Sequence, residues 1–436
     1  MTQARQHTRA RWLSTPVAIA LIAASLLIPA ASVAAAEPTD MVLEWNINAL
    51  NAIGNAPTAT PPGLGQVPPP AVLHMAMVHG AIYDAVNAIV DTHEPYLDGL
   101  DAPASASQAA AVAAAAHGVL IGLTPATLPQ VIASLDALYA TSLAKITDGD
   151  AKDAGIVVGE AAAAAMLANR EGDGRFGSYT FPTGTEPGEW RLVPPFNANV
   201  FAWVGKVRPF TLLSPSQYRT AGPYDLASPE YAAEFNEVKT VGGATSARTP
   251  AQAELATFVS ANPFGMLNRG LRGLATSHGL STAEQARLFV MTSMSAADSM
   301  IDCWYNKDHW LFWRPQTAIQ EAGNDGNDAT VPDPNWVSLV PTPGYPDNPS
   351  GYNCFAAGTM YAAKAYFRTN NMTFDLTSVG ATPITRHYTT FSGVVDDAVE
   401  GRILIGLHFR SADVQAAWLG KKVALWATRH FFGPAD

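Results

Sequence analysis

The sequence predicts an all-α protein made of helical bundles. Apolar residues recur at helical spacing over much of the chain, for example at Ile132, Leu135, Tyr139, Leu143 and Ile146. Few stretches show the apolar and polar alternation that is typical of strands. Helices are therefore expected near residues 70–90, 105–122, 128–147, 151–169, 249–261, 282–317, 352–368, 391–407 and 413–430.

Two of these helices have clear start signals. Thr249 is followed by Pro250 and Gln252, and Ser281 is followed by Glu284. A hydroxyl residue three positions before Gln or Glu can form a capping box, and proline fits the first helical position because it has no N–H to leave unpaired. We expect helices to begin at these two places.

The first 36 residues have the composition of a secretory signal peptide. Arg5, Arg9 and Arg11 precede an apolar run over residues 17–27, and small residues follow up to Ala36. The apolar run is shorter than the roughly 20 residues that a membrane-spanning helix needs. We predict cleavage after Ala36 and a secreted or periplasmic protein.

The predicted mature chain of 400 residues is acidic, with 23 basic and 37 acidic residues and a net charge of −14. A nucleic-acid partner is not expected, because proteins that bind nucleic acids carry basic patches. We divide the mature chain into an N-terminal helical scaffold, residues 37–250, and a C-terminal helical region, residues 251–436. Residues 170–228 are rich in Gly, Pro and aromatics and have no helical period, so this long loop is predicted to pack over a surface, to roof a pocket or to join two helical halves.

The first candidate anion-binding motif is Lys307-Asp-His-Trp-Leu-Phe-Trp-Arg314-Pro315. Seven residues advance an α-helix by almost two turns, so Lys307 and Arg314 are predicted to share one helix face. The aromatic residues between them indicate burial, and buried cations need an anionic partner. A solvated pair of cations is the alternative.

The second motif is Pro349-Ser350-Gly351-Tyr352, which precedes a run of small and apolar residues over 353–367. A Ser-Gly pair at a helix start offers a hydroxyl and free N–H groups at the positive end of the helix dipole. Proteins hold phosphate-like anions in this way. Ser350 also has the residue type of an ordinary N-cap, so both interpretations stay open.

The third motif places Arg402, His408 and Asp413 in an otherwise apolar segment. A guanidinium group does not lose its charge in proteins, so a buried Arg402 has to meet an anion. His408 taken alone has the pattern of a hydrogen-bonded structural histidine.

Together the three motifs, within residues 295–427, resemble the signature of the vanadium-dependent haloperoxidases and the type 2 phosphatidic acid phosphatases. That signature is lysine, six residues, Arg-Pro; then Pro-Ser-Gly-His; then Ser-Arg, five residues and histidine. Residues 312–315, 406–410 and 76–85 also resemble bacterial secreted members of this superfamily. The resemblance implies helical bundles of the haloperoxidase and acid phosphatase type.

The resemblance also implies roles for the motif residues. Vanadate or phosphate would be held by the cations and hydrogen-bond donors Lys307, Arg314, Arg402, Ser350 and the Gly351 N–H. His408 would bond to the vanadium of vanadate in a haloperoxidase, which uses hydrogen peroxide, a halide and a small organic substrate. In a phosphatase the same histidine is the nucleophile.

Tyr352 departs from the superfamily pattern, which has an acid–base histidine at this position. A phenol, with a reference pKa near 10, is a poorer proton shuttle at neutral pH than imidazole, and loss of a general acid costs about 10²- to 10⁴-fold in rate. We expect His408, Lys307 and Tyr352 to be the catalytic residues. In a peroxidase the Tyr352 phenol could still hydrogen-bond an apical oxygen, and whether His309 or His387 folds near enough to assist stays open. A haloperoxidase-like enzyme is the first expectation; a secreted phosphatase and an oxyanion-binding protein with impaired catalysis are the alternatives.

Other positions near the motifs raise further expectations. Gly401 replaces the serine that precedes the arginine in the superfamily. Asp413 lies one residue further from the histidine than the superfamily aspartate does, so the sequence leaves open whether Asp413 orients the imidazole. Trp304 is either an aromatic on the halide side of the site or a core residue.

Cys303 and Cys354 flank the first two motifs, and we predict a disulfide between them if the two motif helices meet at a shared anion.

Overall fold

Helices make up most of the regular structure in the computed structural model, which describes residues 40–379 and 383–435. This part of the chain contains thirteen α-helices and one antiparallel hairpin, which confirms the all-α prediction with the hairpin as an addition. The elements are α1 (Met41–Asn55), α2 (Pro70–Val90), α3 (Gln108–Leu123), α4 (Pro129–Leu143), α5 (Asp150–Asn169), α6 (Pro229–Val241), α7 (Pro250–Ser260), α8 (Pro263–Ser277), α9 (Thr282–Trp310), α10 (Pro315–Glu321), α11 (Gly351–Phe367), β1 (Asn371–Thr377), β2 (Thr385–Thr390), α12 (Phe391–Leu404) and α13 (Arg410–His430).

Both predicted helix starts are present. α7 begins behind Thr249 and α9 begins behind Ser281, and each hydroxyl accepts a hydrogen bond from the amide three residues later. In each case the Gln or Glu at that position accepts a hydrogen bond from the amide of the capping residue. Both capping boxes therefore form as the sequence predicts.

The prediction of one continuous helix over residues 282–317 is wrong. α9 ends at Trp310, and Leu311 has a left-handed backbone with φ of 47°. Pro315 is the first residue of α10, a position where the backbone N–H has no helical partner, so the missing N–H of proline costs nothing. Because the chain turns between them, Lys307 and Arg314 belong to different elements and do not share a helix face.

The sequence pattern does not predict α1, α6, α8 or the hairpin. α6 and α8 have proper caps, since Ser228 and Asn262 accept hydrogen bonds from amides in the first turns. Their apolar period is interrupted by charged residues in α6 and by three glycines in α8. Only a few side chains of the hairpin are buried, so its alternating pattern is short.

α9 is the central helix of the core. Its residues from 288 to 304 are all buried, including the polar side chains of Ser295, Asp298 and Asp302, and Asn306 is buried beyond them. It packs against α2, α11 and α13, so helices from both sides of residue 250 surround it. The division of the mature chain into an N-terminal scaffold and a C-terminal region at residue 250 stays a prediction.

α3 and α5 form a tightly packed pair. A Cβ atom added at Gly155 would lie 2.3 Å from the carbonyl oxygen of Ser107, and one at Gly159 would lie 2.4 Å from that of Ala111. Larger side chains at these glycines would push the two helices apart. The alanine-rich stretch of α3 is therefore a close helix–helix contact.

The long loop over residues 170–228 lies along α9. The carboxylate of Asp298 accepts hydrogen bonds from the amides of Phe210, Thr211 and Leu212 at 2.7, 2.6 and 3.0 Å, and from the Thr211 hydroxyl at 2.6 Å. One turn later along α9, Asp302 accepts from the Tyr218 amide at 3.0 Å. The backbone N–H groups of this irregular loop have no partner in a helix or sheet, and polar side chains spaced one turn apart on α9 accept their hydrogen bonds instead.

Within the residues that the structure describes, no helix is long and apolar enough to cross a membrane. The predicted signal peptide, residues 1–36, lies outside those residues. Its cleavage after Ala36 stays a prediction.

Asp298→Ala is expected to lower the free energy of unfolding by about 3 kcal/mol, because it leaves several buried N–H groups without an acceptor. Urea unfolding followed by circular dichroism measures this change. Asp148→Ala is the control, because the Asp148 side chain is 95% exposed and its ion pair with Lys152 is open to solvent on that side. Equal midpoints for the wild type and Asp298→Ala would show that the loop does not depend on this anchor.

Candidate functional site

Lys307 lies in the last turn of α9 and is fully buried. Its Nζ donates to the carbonyl oxygens of Pro346 at 2.7 Å and Asp347 at 3.0 Å. Burial lowers the pKa of Lys307 to about 8, with a further lowering from the nearby charge of Arg314. The lysine therefore ties the segment before the second motif to the end of α9.

Arg314 precedes α10 and is also fully buried. Its Nε donates to the carbonyl oxygen of Tyr345 at 2.9 Å, and its Nη1 donates to that of Leu407 at 2.8 Å. The Tyr345 ring lies between the two cations, with its centroid 5.2 Å from Lys307 Nζ and 5.0 Å from Arg314 Cζ. The first motif thus brings its two cations together through a turn of the chain and through a shared aromatic neighbour.

The second motif forms the start of α11, with Ser350 at the N-cap position. Its hydroxyl does not cap the helix; the hydroxyl oxygen accepts a hydrogen bond from Asn353 Nδ2 at 3.5 Å. Cys354 donates the first amide hydrogen bond back to the Ser350 carbonyl, at 3.0 Å. The amides of residues 351–353 come before that bond, so they remain available as donors at the positive end of α11.

Gly351 is required by the packing of Trp304. A Cβ atom at position 351 would lie 2.8 Å from Cη2 of the indole ring. Trp304 is 1% exposed, and its ring centroid lies 5.2 Å from that of Tyr345. Trp304 therefore lines the buried site from the side of α9 and packs directly on the start of α11.

His408 lies between α12 and α13, after Gly406, whose φ of 75° allows the tight turn there. Its Nδ1 lies 2.7 Å from Oδ1 of Asp347, and its Nε2 lies 3.2 Å from Nη1 of Arg314. Because arginine only donates, Nε2 is the acceptor and the ring proton lies on Nδ1, which donates to Asp347. Burial and the surrounding cations hold the pKa of His408 well below its usual value, so the ring is neutral.

Asp347 is a site residue that the motif analysis misses. It is fully buried, and besides His408 it lies 3.7 Å from Nη1 of Arg314. Burial raises its pKa, while Arg314 and Lys307 oppose that shift. An acidic residue between two prolines, three positions before Ser350, is the sequence signal that marks it.

Asp413 does not contact His408. Its Oδ1 accepts a hydrogen bond from Asn353 Nδ2 at 2.7 Å, and the same Nδ2 lies 3.5 Å from Ser350 Oγ. Asp413 therefore supports the start of α11, and the imidazole is oriented by Asp347. The doubt that the sequence raises about Asp413 is consistent with this placement.

Arg402 and Tyr352 lie together at the more exposed side of the site. Arg402 is in the last turn of α12, and its Cζ lies 5.1 Å from the centroid of the Tyr352 ring. Both side chains are half-buried. Burial raises the pKa of Tyr352, and the positive charge of Arg402 opposes that shift.

The two histidines expected to assist are elsewhere. His309 is exposed and lies against Trp310, and His387 is exposed on β2 with Asp375 as its partner. No hydrogen bond within the described residues joins either of them to His408 or Tyr352. The expectation that they assist is therefore not met by this geometry.

The predicted disulfide between Cys303 and Cys354 is absent, and this prediction is corrected. Both cysteines are free thiols and are buried. α9 and α11 do meet here, since the two helices pack together and Cys303 Sγ donates to the Pro349 carbonyl oxygen at 3.6 Å. Burial raises the pKa of Cys354 well above its usual value, which keeps it protonated and unreactive.

Several buried polar atoms in the three motif segments have no hydrogen-bond partner within the described residues. Such atoms are rare in folded proteins and call for an explanation. In these segments and the residues beside them, five are nitrogen donors: Trp304 Nε1, Trp313 Nε1, Arg314 Nη2, Asn348 Nδ2 and Arg402 Nε. The site therefore holds a cluster of positive charge and free donors suited to a multivalent oxyanion.

Comparison with known proteins identifies the C-terminal part of the chain. Residues 287–434 match the family model of the VCPO second helical-bundle domain. This region belongs to the vanadium haloperoxidase and type 2 phosphatidic acid phosphatase superfamily. The resemblance inferred from the three motifs is thereby confirmed. No curated protein matches the chain.

Solved structures of haloperoxidases share the fold over most of the chain. A bacterial vanadium-dependent iodoperoxidase aligns with a TM-score of 0.75 and 21% identity, over 92% of this chain and 99% of its own. The holo form of a bacterial vanadium-dependent chloroperoxidase aligns with a TM-score of 0.67 and 16% identity, over 82% of this chain and 90% of its own. The apo form gives a TM-score of 0.65 and 15% identity, over 82% and 92%. At these identities the similarity establishes the haloperoxidase helical fold.

One departure from the superfamily pattern has a packing cause. A Cβ atom at Gly401 would lie 2.5 Å from both Cγ atoms of Val259 on α7. A serine before Arg402 would therefore force α12 away from α7. Glycine at this position lets α12 approach α7 closely, and Arg402 follows it in the last turn of α12.

Gly351→Ala is expected to cost about 1–3 kcal/mol of stability, because the added methyl group overlaps the Trp304 ring. The same substitution in a Trp304→Leu background should cost clearly less, since the ring is gone. Thermal and urea unfolding of the four proteins in this double-mutant cycle measure the coupling. Additive effects would contradict the contact. Gly273→Ala, on the exposed face of α8 where a Cβ meets no atom within 4 Å, is the control.

Proposed function

We propose that the protein is a vanadium-dependent haloperoxidase-like enzyme, which binds vanadate at His408 and oxidises a halide with hydrogen peroxide. The observation that carries the proposal is the convergence of three cations from three separate segments on one buried neutral histidine. Two of them, Lys307 and Arg314, are fully buried. Buried cations are stable in proteins when an anion compensates them, and a vanadate oxyanion has the charge and the acceptor oxygens to do so.

The residues present fit vanadate. Arg314 and Arg402 each have a buried nitrogen without a partner within the described residues, and the amides of residues 351–353 precede the first helical hydrogen bond of α11. In this arrangement Arg314, Arg402 and the third N–H of Lys307, whose other two donate to carbonyl groups, would neutralise the oxygens. The Ser350 hydroxyl and the Gly351 N–H would donate to them. Vanadate, when bound, supplies a Lewis-acidic centre at which hydrogen peroxide becomes a stronger oxidant towards halide.

His408 has the tautomer that a ligand role needs. Its Nδ1 proton is donated to Asp347, so Nε2 carries the lone pair. That lone pair accepts a hydrogen bond from Arg314 Nη1 at 3.2 Å, and vanadate would have to replace this contact. A carboxylate behind a ligating imidazole fixes the ring orientation and raises its basicity. Asp347 therefore orients the His408 imidazole, which is the role that the superfamily pattern suggests for Asp413.

Tyr352 does not serve as a proton shuttle in this proposal. Burial raises its pKa above the ordinary value of a phenol, so at neutral pH it stays protonated and is neither a base nor an effective acid. A phosphatase has to protonate its leaving group, so the replacement of histidine damages phosphatase chemistry more than halide oxidation. This is why we rank the haloperoxidase first and the phosphatase below it.

A second candidate function is oxyanion binding with impaired catalysis. The specific observation in its favour is Tyr352, together with the surface positions of His309 and His387, which leave no substitute acid–base imidazole beside the anion. In that case the wild type binds vanadate and is catalytically silent, and Tyr352→His is the variant in which activity should appear.

The direct test of the proposed function is halogenation of a phenol-type acceptor with hydrogen peroxide and bromide or iodide, with and without orthovanadate. We expect vanadate-dependent halogenation and at least tenfold weaker vanadate binding in Lys307→Ala. Lys421→Ala, an exposed lysine on α13, should behave as wild type. Hydrolysis of p-nitrophenyl phosphate without halogenation would favour the phosphatase, and binding without either activity would favour the second candidate. Unchanged vanadate affinity in Lys307→Ala would contradict all three.

Asp347→Asn tests the histidine orientation. The amide nitrogen of asparagine would donate to Nδ1 and favour a proton on Nε2, so vanadate affinity and activity should fall about 10- to 100-fold. Titration with orthovanadate measures the affinity. Asp375→Asn is a matched control, because Asp375 makes the same kind of bond to His387 on the surface. Wild-type affinity in Asp347→Asn would show that the carboxylate does not set the tautomer.

A further inference from the structure

The three cations of the site are held in place in different ways. Lys307 is fixed by two backbone carbonyl groups, and Arg314 is fixed by two others and by Asp347. Arg402 has no side-chain hydrogen bond and no ion pair within the described residues, and its Nε is buried without a partner. Its guanidinium group therefore depends on some other contact for its position.

That contact is the ring of Tyr352. The Arg402 Cζ lies 5.1 Å from the ring centroid, within the range of a cation–π interaction. The two residues come from the last turn of α12 and the first turn of α11, which are otherwise joined by helix packing. A free arginine side chain has many rotamers, and ordering it costs entropy. Stacking on a flat aromatic ring orders the guanidinium group in advance, in a plane that leaves its N–H groups available for bidentate binding of an oxyanion.

We propose that Tyr352 is a positioning residue whose aromatic ring holds the Arg402 guanidinium in place to bind the oxyanion. This inference rests on the proposed function, since it assigns Arg402 to vanadate. It gives the substitution of histidine by tyrosine a purpose: the ring face is used and the hydroxyl is dispensable. No hydrogen bond of the Tyr352 hydroxyl is present within the described residues, which agrees with a role for the ring.

Equilibrium binding of orthovanadate, and separately of inorganic phosphate, tests the proposal without reference to activity. Tyr352→Phe keeps the ring and should bind both anions within about twofold of wild type. Tyr352→Leu removes the ring and should weaken binding about tenfold, equivalent to roughly 1.4 kcal/mol. Thermal unfolding of each variant establishes that it is folded before its affinity is measured.

A double-mutant cycle separates an effect through Arg402 from general damage to the site. In an Arg402→Ala background, Tyr352→Leu should cause no further loss of affinity, because the group that the ring positions is gone. Tyr361→Leu is the matched control. Tyr361 lies on the same helix and makes comparable cation–π contacts with Lys364 and Lys421, at 5.8 and 5.4 Å, away from the three motifs.

The outcomes are distinguishable. Equal losses in Tyr352→Phe and Tyr352→Leu would assign the effect to the hydroxyl and overturn the proposal, as would a loss in Tyr352→Leu that persists without Arg402. Wild-type affinity in Tyr352→Leu would overturn it while leaving the proposed function intact. A wild type that binds neither anion would overturn the proposed function itself, and the role of Tyr352 with it.

Discussion

The burial of positive charge around Asp347 is the constraint on which this structure depends. Lys307 and Arg314 are removed from water, and an uncompensated charge in that position would cost far more than a single domain can spare. Carbonyl groups of residues 345–347 and 407 turn towards these cations and replace part of their hydration. The cations in turn hold the second and third motifs against the end of α9. The same interactions therefore stabilise the fold and assemble the site.

α9 makes this arrangement possible because it carries polar groups towards two different regions. Asp298, Asp302 and Asn306 bind the amides of the long loop, and Lys307 at the end of the helix binds the segment before α11. A helix buried on all sides has little freedom to move, so both regions are placed relative to a rigid element. Trp304 on the same helix packs on Gly351 and sets how closely α11 approaches. Small residues at the contacts, Gly351 and Gly401, complete the positioning.

How much could be predicted from the sequence depended on whether the cause was local. Thr249 and Ser281 act through residues three positions away, so their capping boxes were predictable. The break at Leu311 results from how residues 307–315 pack against the rest of the molecule, and a spacing rule for a straight helix could not foresee it. The motif residues were recognisable because their order in the chain resembles the superfamily. Asp347 was missed because its role arises only when His408, 61 residues away, folds against it. The sequence correctly predicted that Cys303 and Cys354 lie close together, since α9 and α11 meet there. Proximity alone does not determine whether two thiols are oxidised to a disulfide, and both are free.

A crystal structure of the protein soaked in orthovanadate would test the central claim most directly. The account predicts a vanadium atom, identified by anomalous scattering, bonded to Nε2 of His408, with Arg314 and Arg402 on its oxygens and the Nδ1 bond to Asp347 retained. Vanadium bound elsewhere, or a His408 still bonded to Arg314 at saturating vanadate, would contradict it.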